Sequence, residues 1–254
     1  MKKRADLLVV ERGLAPSRAR AQALILAGAV RAAGEPVRKA GDLLDADIEL
    51  SLRDAPRAYV SRGGDKLAHA LSAFGLDVAD LVAVDIGAST GGFTDCLLRK
   101  GARRVYAVDV GYGQLAQELR KDPRVVVRER TNARDLGAAD FPEPIDLVTV
   151  DASFIGLGKL MPAVASIVRQ GGTLVALVKP QFEAGRRAAS RGRGVIRDPA
   201  VRDSAIASAR MAIVDAGFSV VAESDSALAG PKGNVERFVL ARRGRFLDAG
   251  NETR

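Results

Sequence analysis

The chain has 254 residues, enough for one large domain or for one ordinary domain and a small module. Its net charge of +8 points to a polyanionic partner, with nucleic acid favoured over a membrane surface. A single cysteine excludes an internal disulfide, and no apolar stretch is long enough to cross a membrane. The basic amino terminus lacks the apolar run of a signal peptide. We therefore expect a cytoplasmic protein that binds no membrane, with a monomer favoured.

Residues 1–50 have the pattern of a small separate module. Ser17 is a suitable N-cap for a helix, and Gly28 is a suitable stop for it. A turn is expected at 33–36, between two short β segments. The predicted elements are helices over 6–14 and 18–27 and short strands at 29–31, at 37 and at 48–50.

This order of elements resembles the RNA-binding domain of the ribosomal small-subunit protein S4 type. The similar stretches are 18–25, 28–30 and 34–37, and the departure is Ala33, where the family usually has Asn in the turn. The resemblance implies that basic side chains of the helix and hairpin contact structured RNA. The alternative is a solvated charged face on an accessory hairpin. The candidate RNA contacts are Arg4, Arg18, Arg20, Gln22, Arg31, Arg38 and Lys39.

A linker is predicted at 51–58, which has no apolar period and contains Pro56. Strands and helices alternate over 59–244, and 245–254 reads as a flexible tail. One helix is predicted to begin at Asp198 and Pro199. The predicted strands are 81–86, 103–109, 124–129, 145–151, 172–178, 218–223 and 235–241, with helices between them.

Such alternation predicts an α/β fold with a mostly parallel sheet covered on both faces. The last two strands are too close in sequence for a crossover helix, so they should pair as an antiparallel hairpin. An open sheet with an antiparallel edge strand is more typical of methyltransferases than of dehydrogenases. The fold class predicted here is therefore Rossmann-like, of the methyltransferase type, beside a small α+β module.

A glycine-rich turn follows the first strand of this sheet. Gly87, Gly91 and Gly92 stand between the strand at 82–86 and a helix. Their spacing is not that of the dinucleotide-binding fingerprint. The next strand ends in Asp109, about twenty residues after the turn, where an acid can bind ribose hydroxyls. The pattern favours a nucleoside site, the alternative being an ordinary tight turn and a solvated Asp.

Four charged residues are expected near this turn. Asp151 and Lys179 follow two predicted strands, Glu236 lies in the final hairpin, and Lys66 precedes the first strand. A lysine at the end of an apolar strand usually has a carboxylate partner, because desolvating it alone is costly. Two lysines and two acids in one cleft could position and deprotonate a hydroxyl. Taken one by one, each residue is better explained as a member of a structural ion pair. Two of the four follow strands at the edge that binds ligands, and this placement favours a functional site.

At the level of the whole chain, the sequence resembles the TlyA family of ribosomal RNA 2′-O-methyltransferases, historically called hemolysins, with an FtsJ-type catalytic domain. The stretches that carry this resemblance are 59–66, 85–95, 109–115, 129–134, 151–154, 178–183 and 233–236. The resemblance implies S-adenosylmethionine as methyl donor and ribosomal RNA or ribosomal subunits as partner, with a ribose hydroxyl, expected on cytidine, as the target.

The same resemblance implies roles for individual residues. Lys66, Asp151, Lys179 and Glu236 would form a catalytic tetrad, in which Lys179 is the base. Lys66 and Glu236 would orient the ribose hydroxyl, and Asp151 would tune the basicity of the lysines. The candidate cofactor-binding residues are Asp85, Gly87, Ala88, Ser89, Thr90, Gly91, Gly92, Phe93, Asp109, Asn132, Ala133 and Asp151. No Cys/His cluster suggests a metal site.

Further arginines could extend the RNA-binding surface, although a flexible charged loop is an equal alternative for those beyond residue 185. These candidates are Arg57, Arg62, Arg186, Arg187, Arg191 and Arg193. Two other functions compete with ribose methylation. A base-directed methyltransferase would carry two prolines that the turn at 151–154 lacks, and a non-catalytic RNA-binding or ribosome assembly factor would have an incomplete tetrad. A pore-forming hemolysin would need an insertion element, and we find none.

Overall fold

The computed structural model of the chain describes residues 2–26, 28–52, 58–185, 194–230 and 232–244. The predicted RNA contacts Arg57, Arg186, Arg187, Arg191 and Arg193 lie outside these ranges, as do residues 53–57 of the predicted linker and the predicted tail at 245–254. Within the described residues, the chain divides into two compact units, 1–57 and 58–254. They are taken in turn.

In its described residues, the first unit has two helices and five very short strands. An apolar core forms where the two helices pack on β2, with Val9, Ile25 and Val30 at its centre. Strand β1 pairs with β4, and β2 lies between β3 and β5, all antiparallel. The elements are β1 (Lys2–Arg4), α1 (Ala5–Glu11), α2 (Arg18–Leu26), β2 (Val30–Ala32), β3 (Glu35–Pro36), β4 (Leu43–Asp45) and β5 (Leu50–Leu52).

The helices of this unit were predicted more accurately than its strands. The hydroxyl of Ser17 accepts a hydrogen bond from the backbone N–H of Arg20, as expected of an N-cap. The strand predicted at 48–50 lies instead at 50–52, so the first two residues of the predicted linker belong to β5. Strands β1 and β4 were not predicted. Strands of three residues show no readable alternation, and only their pairing defines them.

The second unit is built on a seven-stranded sheet, in the order β11-β12-β10-β9-β6-β7-β8. Strands β6 to β10 are parallel, which confirms the predicted fold class. The elements are α3 (Arg62–Ala73), β6 (Val82–Ile86), α4 (Gly92–Arg99), β7 (Arg104–Val108), α5 (Gln117–Lys121), β8 (Val125–Arg128), β9 (Ile145–Val150), α6 (Met161–Ile167), β10 (Val168–Val178), α7 (Pro180–Glu183), α8 (Pro199–Asp215), β11 (Phe218–Asp225) and β12 (Arg237–Arg243).

The antiparallel strand lies at one end of this sheet. Strand β12 runs antiparallel to both β10 and β11, one position in from the edge, and β11 is the edge strand. The predicted hairpin of the last two strands is therefore present. Insertion of β12 beside β10 brings the start of β12 to the edge of the sheet where β10 ends.

One predicted crossover helix is absent. Between β8 and β9 the described chain has only two 3₁₀ turns, at Ala133–Asp135 and Ala138–Asp140. Gly137, Pro142 and Pro144 account for this, because glycine weakens a helix and proline cannot continue one. The helix predicted at Asp198 is present as α8, and the Asp198 side chain accepts from the backbone N–H of Ala200 at 2.9 Å.

The core of the second unit lies on both faces of the sheet. One cluster includes Val84, Val148 and Ile213, and the other includes Leu67, Leu97 and Phe238. Helix α3 belongs to the second cluster and packs directly on α4. Gly64 permits this close packing, because a Cβ there would lie 2.9 Å from the carbonyl oxygen of Gly92. The packing fixes α3 beside the turn that precedes α4.

Candidate active site

The glycine turn lies at the centre of the sheet, between the end of β6 and the start of α4. Strand β6 lies between β7 and β9 in the sheet. The chain runs from β6 outward through β7 and β8 and then returns to β9 on the other flank of β6, so the strand order reverses at β6. In open α/β sheets, ligands bind at such a reversal of strand order. Gly87 has φ +84°, and a Cβ there would lie 2.9 Å from the carbonyl oxygen of Asp151. Glycine is therefore required here by the close approach of the backbone that follows β9.

Asp109 lies beside the turn, at the end of β7. The backbone N–H of Ser89 donates to Oδ2 of Asp109 at 2.8 Å, and that of Gly111 donates to Oδ1 at 2.7 Å. Each carboxylate oxygen keeps a lone pair for a further donor. Ser89 and Thr90 are exposed, and Asn132 is half-buried with its Oδ1 accepting from the Arg134 backbone. These residues fit a ligand with ribose hydroxyls.

Two predicted cofactor contacts need correction. Asp85 is fully buried, and its carboxylate accepts hydrogen bonds from Thr94 at 2.7 Å and Thr149 at 3.1 Å. Phe93 is also buried and stacks on Phe238, with ring centroids 6.0 Å apart. Neither side chain is open to a ligand. They support the turn from inside the core, which a motif read from sequence does not distinguish from direct contact.

Other predicted cofactor contacts are only partly accessible. Ala88 and Ala133 have 7% and 6% of their surface exposed, and Gly91 and Gly92 are buried. A Cβ on Gly91 or Gly92 would overlap neighbouring side chains, so both glycines serve the packing of the turn. The accessible part of the turn consists of Gly87, Ser89 and Thr90.

Three of the four predicted tetrad residues lie at one edge of the sheet, because each directly follows or precedes a strand. Asp151 and Lys179 follow β9 and β10, which are parallel neighbours, so they lie at the same edge. Glu236 comes immediately before β12. Because Val178 is paired with Arg237 across the antiparallel ladder, Glu236 also lies at this edge. The fourth residue, Lys66, comes from outside the sheet, on α3.

The four side chains form two ion pairs. Nζ of Lys66 lies 2.5 Å from Oε2 of Glu236, with both residues buried. Nζ of Lys179 lies 2.6 Å from Oδ1 of Asp151, at an angle outside hydrogen-bond geometry. Burial raises the pKa of Asp151, the charges of Lys179 and Lys66 lower it, and that of Glu236 raises it. The two pairs therefore lie within electrostatic reach of each other.

Ser153 is a site residue that the sequence reasoning missed. Nζ of Lys179 donates to the Ser153 hydroxyl at 2.9 Å and to the backbone carbonyl of Asp151 at 3.2 Å. Ser153 stands in the stretch 151–154 that suggested the resemblance, but nothing in its residue type or spacing indicated a contact with Lys179.

Three candidate RNA contacts of the first unit are bound to one buried carboxylate. Arg4, Arg18 and Gln22 all donate to Asp6, which has no exposed surface. The guanidinium of Arg4 holds the pKa of Asp6 well below its usual range, against the opposing effect of burial. These three residues therefore have a structural role, whatever they contact outside the unit.

The remaining candidates differ in their surroundings. Arg20, Arg38 and Lys39 have exposed side chains. Arg31 donates to the carbonyl oxygen of Gly34 at 2.5 Å within its own hairpin. In the second unit, Arg62 donates to the carbonyl oxygen of Ala229 at 2.9 Å. Of these, the first three are the most available for phosphate groups.

Two further features bear on the kind of site. No helix in the described parts of the chain is long and apolar enough to span a membrane. Across those same residues, no three His, Cys, Asp or Glu side chains are grouped in a way that could hold a metal ion.

The chain matches known proteins over nearly its whole length. The sequence pattern of FtsJ-like methyltransferases matches residues 59–243, and that of the S4 domain matches 3–47. The 16S/23S rRNA (cytidine-2′-O)-methyltransferase TlyA of Mycobacterium tuberculosis is 46% identical over 240 residues, which cover 94% of this chain and 89% of that protein. A solved hemolysin-like protein of Streptococcus thermophilus is 42% identical and covers 96% of this chain and 89% of its own, with a TM-score of 0.74.

A more distant structure supports the fold alone. An S-adenosylmethionine-dependent methyltransferase of Mesorhizobium loti is 18% identical and has a TM-score of 0.51, covering 71% of this chain and all of its own. The match to FtsJ-like methyltransferases over residues 59–243, together with relatives named as methyltransferases, defines an enzyme of the methyltransferase class. More narrowly, the chain belongs to the FtsJ-like methyltransferase family, in its TlyA/hemolysin-like branch with an amino-terminal S4 domain.

Proposed function

We propose that this protein transfers a methyl group from S-adenosylmethionine to a ribose 2′-hydroxyl of ribosomal RNA, with cytidine as the target nucleotide, and does so in the cytoplasm. The observation that carries the proposal is the meeting of two lysines and two carboxylates at the edge of the sheet that also holds the glycine turn. The names of the relatives, which specify rRNA cytidine-2′-O methylation, support it.

The residues around the turn suit S-adenosylmethionine. The Asp109 carboxylate would bind the ribose hydroxyls, while Gly87, Ser89 and Thr90 would hold the methionine end. When bound, this group supplies an electrophilic methyl on a positively charged sulfur. Since that charge disappears during transfer, a pocket rich in unpaired carboxylates would slow the reaction. Both tetrad carboxylates are paired with lysines, which meets this requirement.

Lys179 is proposed as the general base. A base must be neutral to accept the hydroxyl proton, and an ammonium is not. Nζ of Lys179 lies 2.6 Å from Oδ1 of Asp151, so this carboxylate can accept the proton that leaves the lysine, and a neutral amine remains. In this state Nζ of Lys179 can take the ribose proton. Lys66 and Glu236, which form the other ion pair, would orient the ribose hydroxyl.

The S4 unit is proposed to bind RNA through phosphate contacts. Its exposed residues Arg20, Arg38 and Lys39 are suited to this role, because cations that reach phosphates supply most of the affinity and make it salt-dependent. Arg57, Arg186, Arg187, Arg191 and Arg193 remain proposed contacts on the same electrostatic grounds.

The test has two parts. Purified protein would be incubated with S-adenosylmethionine and ribosomal subunits, and the RNA digested to nucleosides for mass spectrometry. A methyl on the ribose supports the proposal; a methyl on the base, or none, contradicts it and favours a base-directed enzyme or an assembly factor respectively.

The second part tests the proposed base. Lys179→Ala should abolish transfer while S-adenosylmethionine binding, followed by calorimetry, persists. Lys159→Ala offers a matched control, because Lys159 is an exposed lysine at the end of a 3₁₀ turn. Turnover of Lys179→Ala close to that of the wild type would exclude Lys179 as the base.

A further inference from the structure

The ammonium group of Lys179 has three hydrogens and three acceptors within reach. They are Oδ1 of Asp151 at 2.6 Å, the backbone carbonyl of Asp151 at 3.2 Å and the hydroxyl of Ser153 at 2.9 Å. All three belong to the turn that follows β9. The carbonyl and the Ser153 hydroxyl accept hydrogen bonds, and Oδ1 of Asp151 pairs with the ammonium by charge. A substrate hydroxyl therefore meets an Nζ that this turn already holds by two hydrogen bonds and one ion pair.

The two acceptors of Asp151 have little freedom to move. The backbone N–H of Asp151 donates to the carbonyl oxygen of Ile86 at 2.9 Å, and the Asp151 backbone packs directly on Gly87. The sheet thus fixes the Asp151 carbonyl, and the ion pair with Lys179 restricts its carboxylate. Ser153 differs from both, since it is exposed and its hydroxyl can rotate.

The backbone around Ser153 is held in an unfavourable conformation. Phe154, the next residue, has φ +67°, a left-handed conformation that non-glycine residues rarely adopt. Such conformations persist where the surroundings enforce them, and they are concentrated at functional sites. In this turn, the conformation accompanies the placement of the Ser153 hydroxyl against Lys179.

We propose that Ser153 is a positioning residue for Lys179, an inference that rests on the proposed role of that lysine as base. A neutral amine has two N–H groups and one lone pair, and the lone pair must face the ribose hydroxyl. The Ser153 hydroxyl can accept from an N–H of Nζ in both the amine and the ammonium, which leaves the lone pair free. It keeps Nζ in one position before and after the ribose hydroxyl proton passes to it, so the lysine stays aligned throughout transfer.

Kinetics of Ser153→Ala and Ser153→Thr test this proposal. Loss of a hydrogen bond to a charged group that serves the transferring state should lower kcat about tenfold in Ser153→Ala. KM for the ribosomal substrate and S-adenosylmethionine affinity should stay within twofold of wild type. Ser153→Thr, which keeps the hydroxyl, should restore kcat to at least half. Ser204→Ala, which removes a hydroxyl from the exposed surface of α8, is the matched control.

A kcat of Ser153→Ala within twofold of wild type, or no rescue by Ser153→Thr, would overturn the proposal. A measurement without turnover separates it from the proposed function. In protein labelled with ¹⁵N-lysine, the Lys179 ammonium hydrogens should exchange with solvent several-fold faster in Ser153→Ala than in the wild type. Unchanged exchange would overturn the positioning role even if ribose methylation is confirmed. A methyl found on a base would refute the proposed function, and the exchange rates would still report on the contact.

Discussion

Lys66 and Glu236 are 170 positions apart in sequence, and Nζ of the lysine lies 2.5 Å from Oε2 of the glutamate. The lysine side chain is 9% exposed and that of the glutamate 1%. The pair therefore joins α3 to the start of β12 through charges that water hardly reaches. Gly230 encloses the glutamate further, since a Cβ there would lie 2.7 Å from Oε1.

Removing one member of this pair should be more harmful than removing both charges. Glu236→Ala leaves a buried ammonium without a counter-charge, for which we expect a loss of about 3–5 kcal/mol in the free energy of unfolding. The double variant Lys66→Met with Glu236→Gln should be more stable than Glu236→Ala. Urea denaturation measures both.

The exposed pair Lys3–Glu11, with Nζ 2.7 Å from Oε2, provides the control. Glu11→Ala should change stability little, because exposed ion pairs are weak. If Glu236→Ala were as mild as Glu11→Ala, the Lys66–Glu236 pair would have no structural importance.

Asp85 should make the stability of the second unit depend on pH. Burial raises its pKa to about 7, and the charge of Asp151 adds to the effect. An aspartate in an unfolded chain titrates near 4. Between about pH 4 and pH 7 the folded protein therefore binds a proton that the unfolded chain lacks, so this group's contribution to stability falls as pH rises through that window.

Asp85→Asn should remove this fall, because an amide stays neutral. Urea unfolding at pH 5 and pH 8 should show a smaller difference between the two conditions in Asp85→Asn than in the wild type. The exposed Asp215 supplies the control, since Asp215→Asn should keep the wild-type difference. An equal difference in all three proteins would show that Asp85 is ionised throughout.

Asp6 should have the opposite dependence in the first unit. Hydrogen bonds from Arg4, Gln22 and Arg18 lower its pKa below that of an unfolded aspartate. Its contribution is therefore complete above about pH 4 and is lost as the pH falls below that value. Asp6→Asn should remove this contribution at neutral pH.

Hydrogen exchange of the amides in α1 and α2 provides the measurement. Exchange at pH 7 should be faster in Asp6→Asn than in the wild type, and the exposed variant Asp47→Asn should match the wild type. Equal protection in Asp6→Asn and wild type would show that the carboxylate does not hold the two helices.

The hairpin between β2 and β3 should be improved by one substitution. Ala33 and Gly34 have φ values of 48° and 84°, as in a two-residue turn with both central residues left-handed. Asn tolerates this conformation better than Ala. We expect Ala33→Asn to raise the free energy of unfolding of the first unit by about 1 kcal/mol, and Ala33→Val to lower it. A loss of stability in Ala33→Asn would mean that the turn rearranges.

Arg20 offers a test of RNA binding by the first unit. If its side chain contacts one phosphate, Arg20→Ala should weaken binding and make the slope of log affinity against log salt shallower by about 0.7–0.9. Arg12→Ala is the control, because the Arg12 guanidinium is bound to the carbonyl oxygen of Ala46 on the same unit. Equal slopes in wild type and Arg20→Ala would exclude the contact.

The sequence alone determined the fold class, the two-part organisation of the secondary structure and the family. These features depend on local signals: apolar runs that form buried strands, helix starts such as Ser17 and Asp198 with Pro199, and helix stops such as Gly28. Such signals fail where the elements are very short, as in β1 and β4. They also fail where glycine and proline prevent an expected helix, as between β8 and β9.

Only the tertiary structure decided which charges meet. Strand register brings Glu236 to the same edge as Lys179, yet Glu236 pairs with Lys66 and Lys179 pairs with Asp151. The contact of Ser153 with Lys179 was likewise invisible in the sequence. The physical reason is that burial and pairing depend on the packing of α3 and on the path of the turn after β9, and a residue's type and position in the chain record neither.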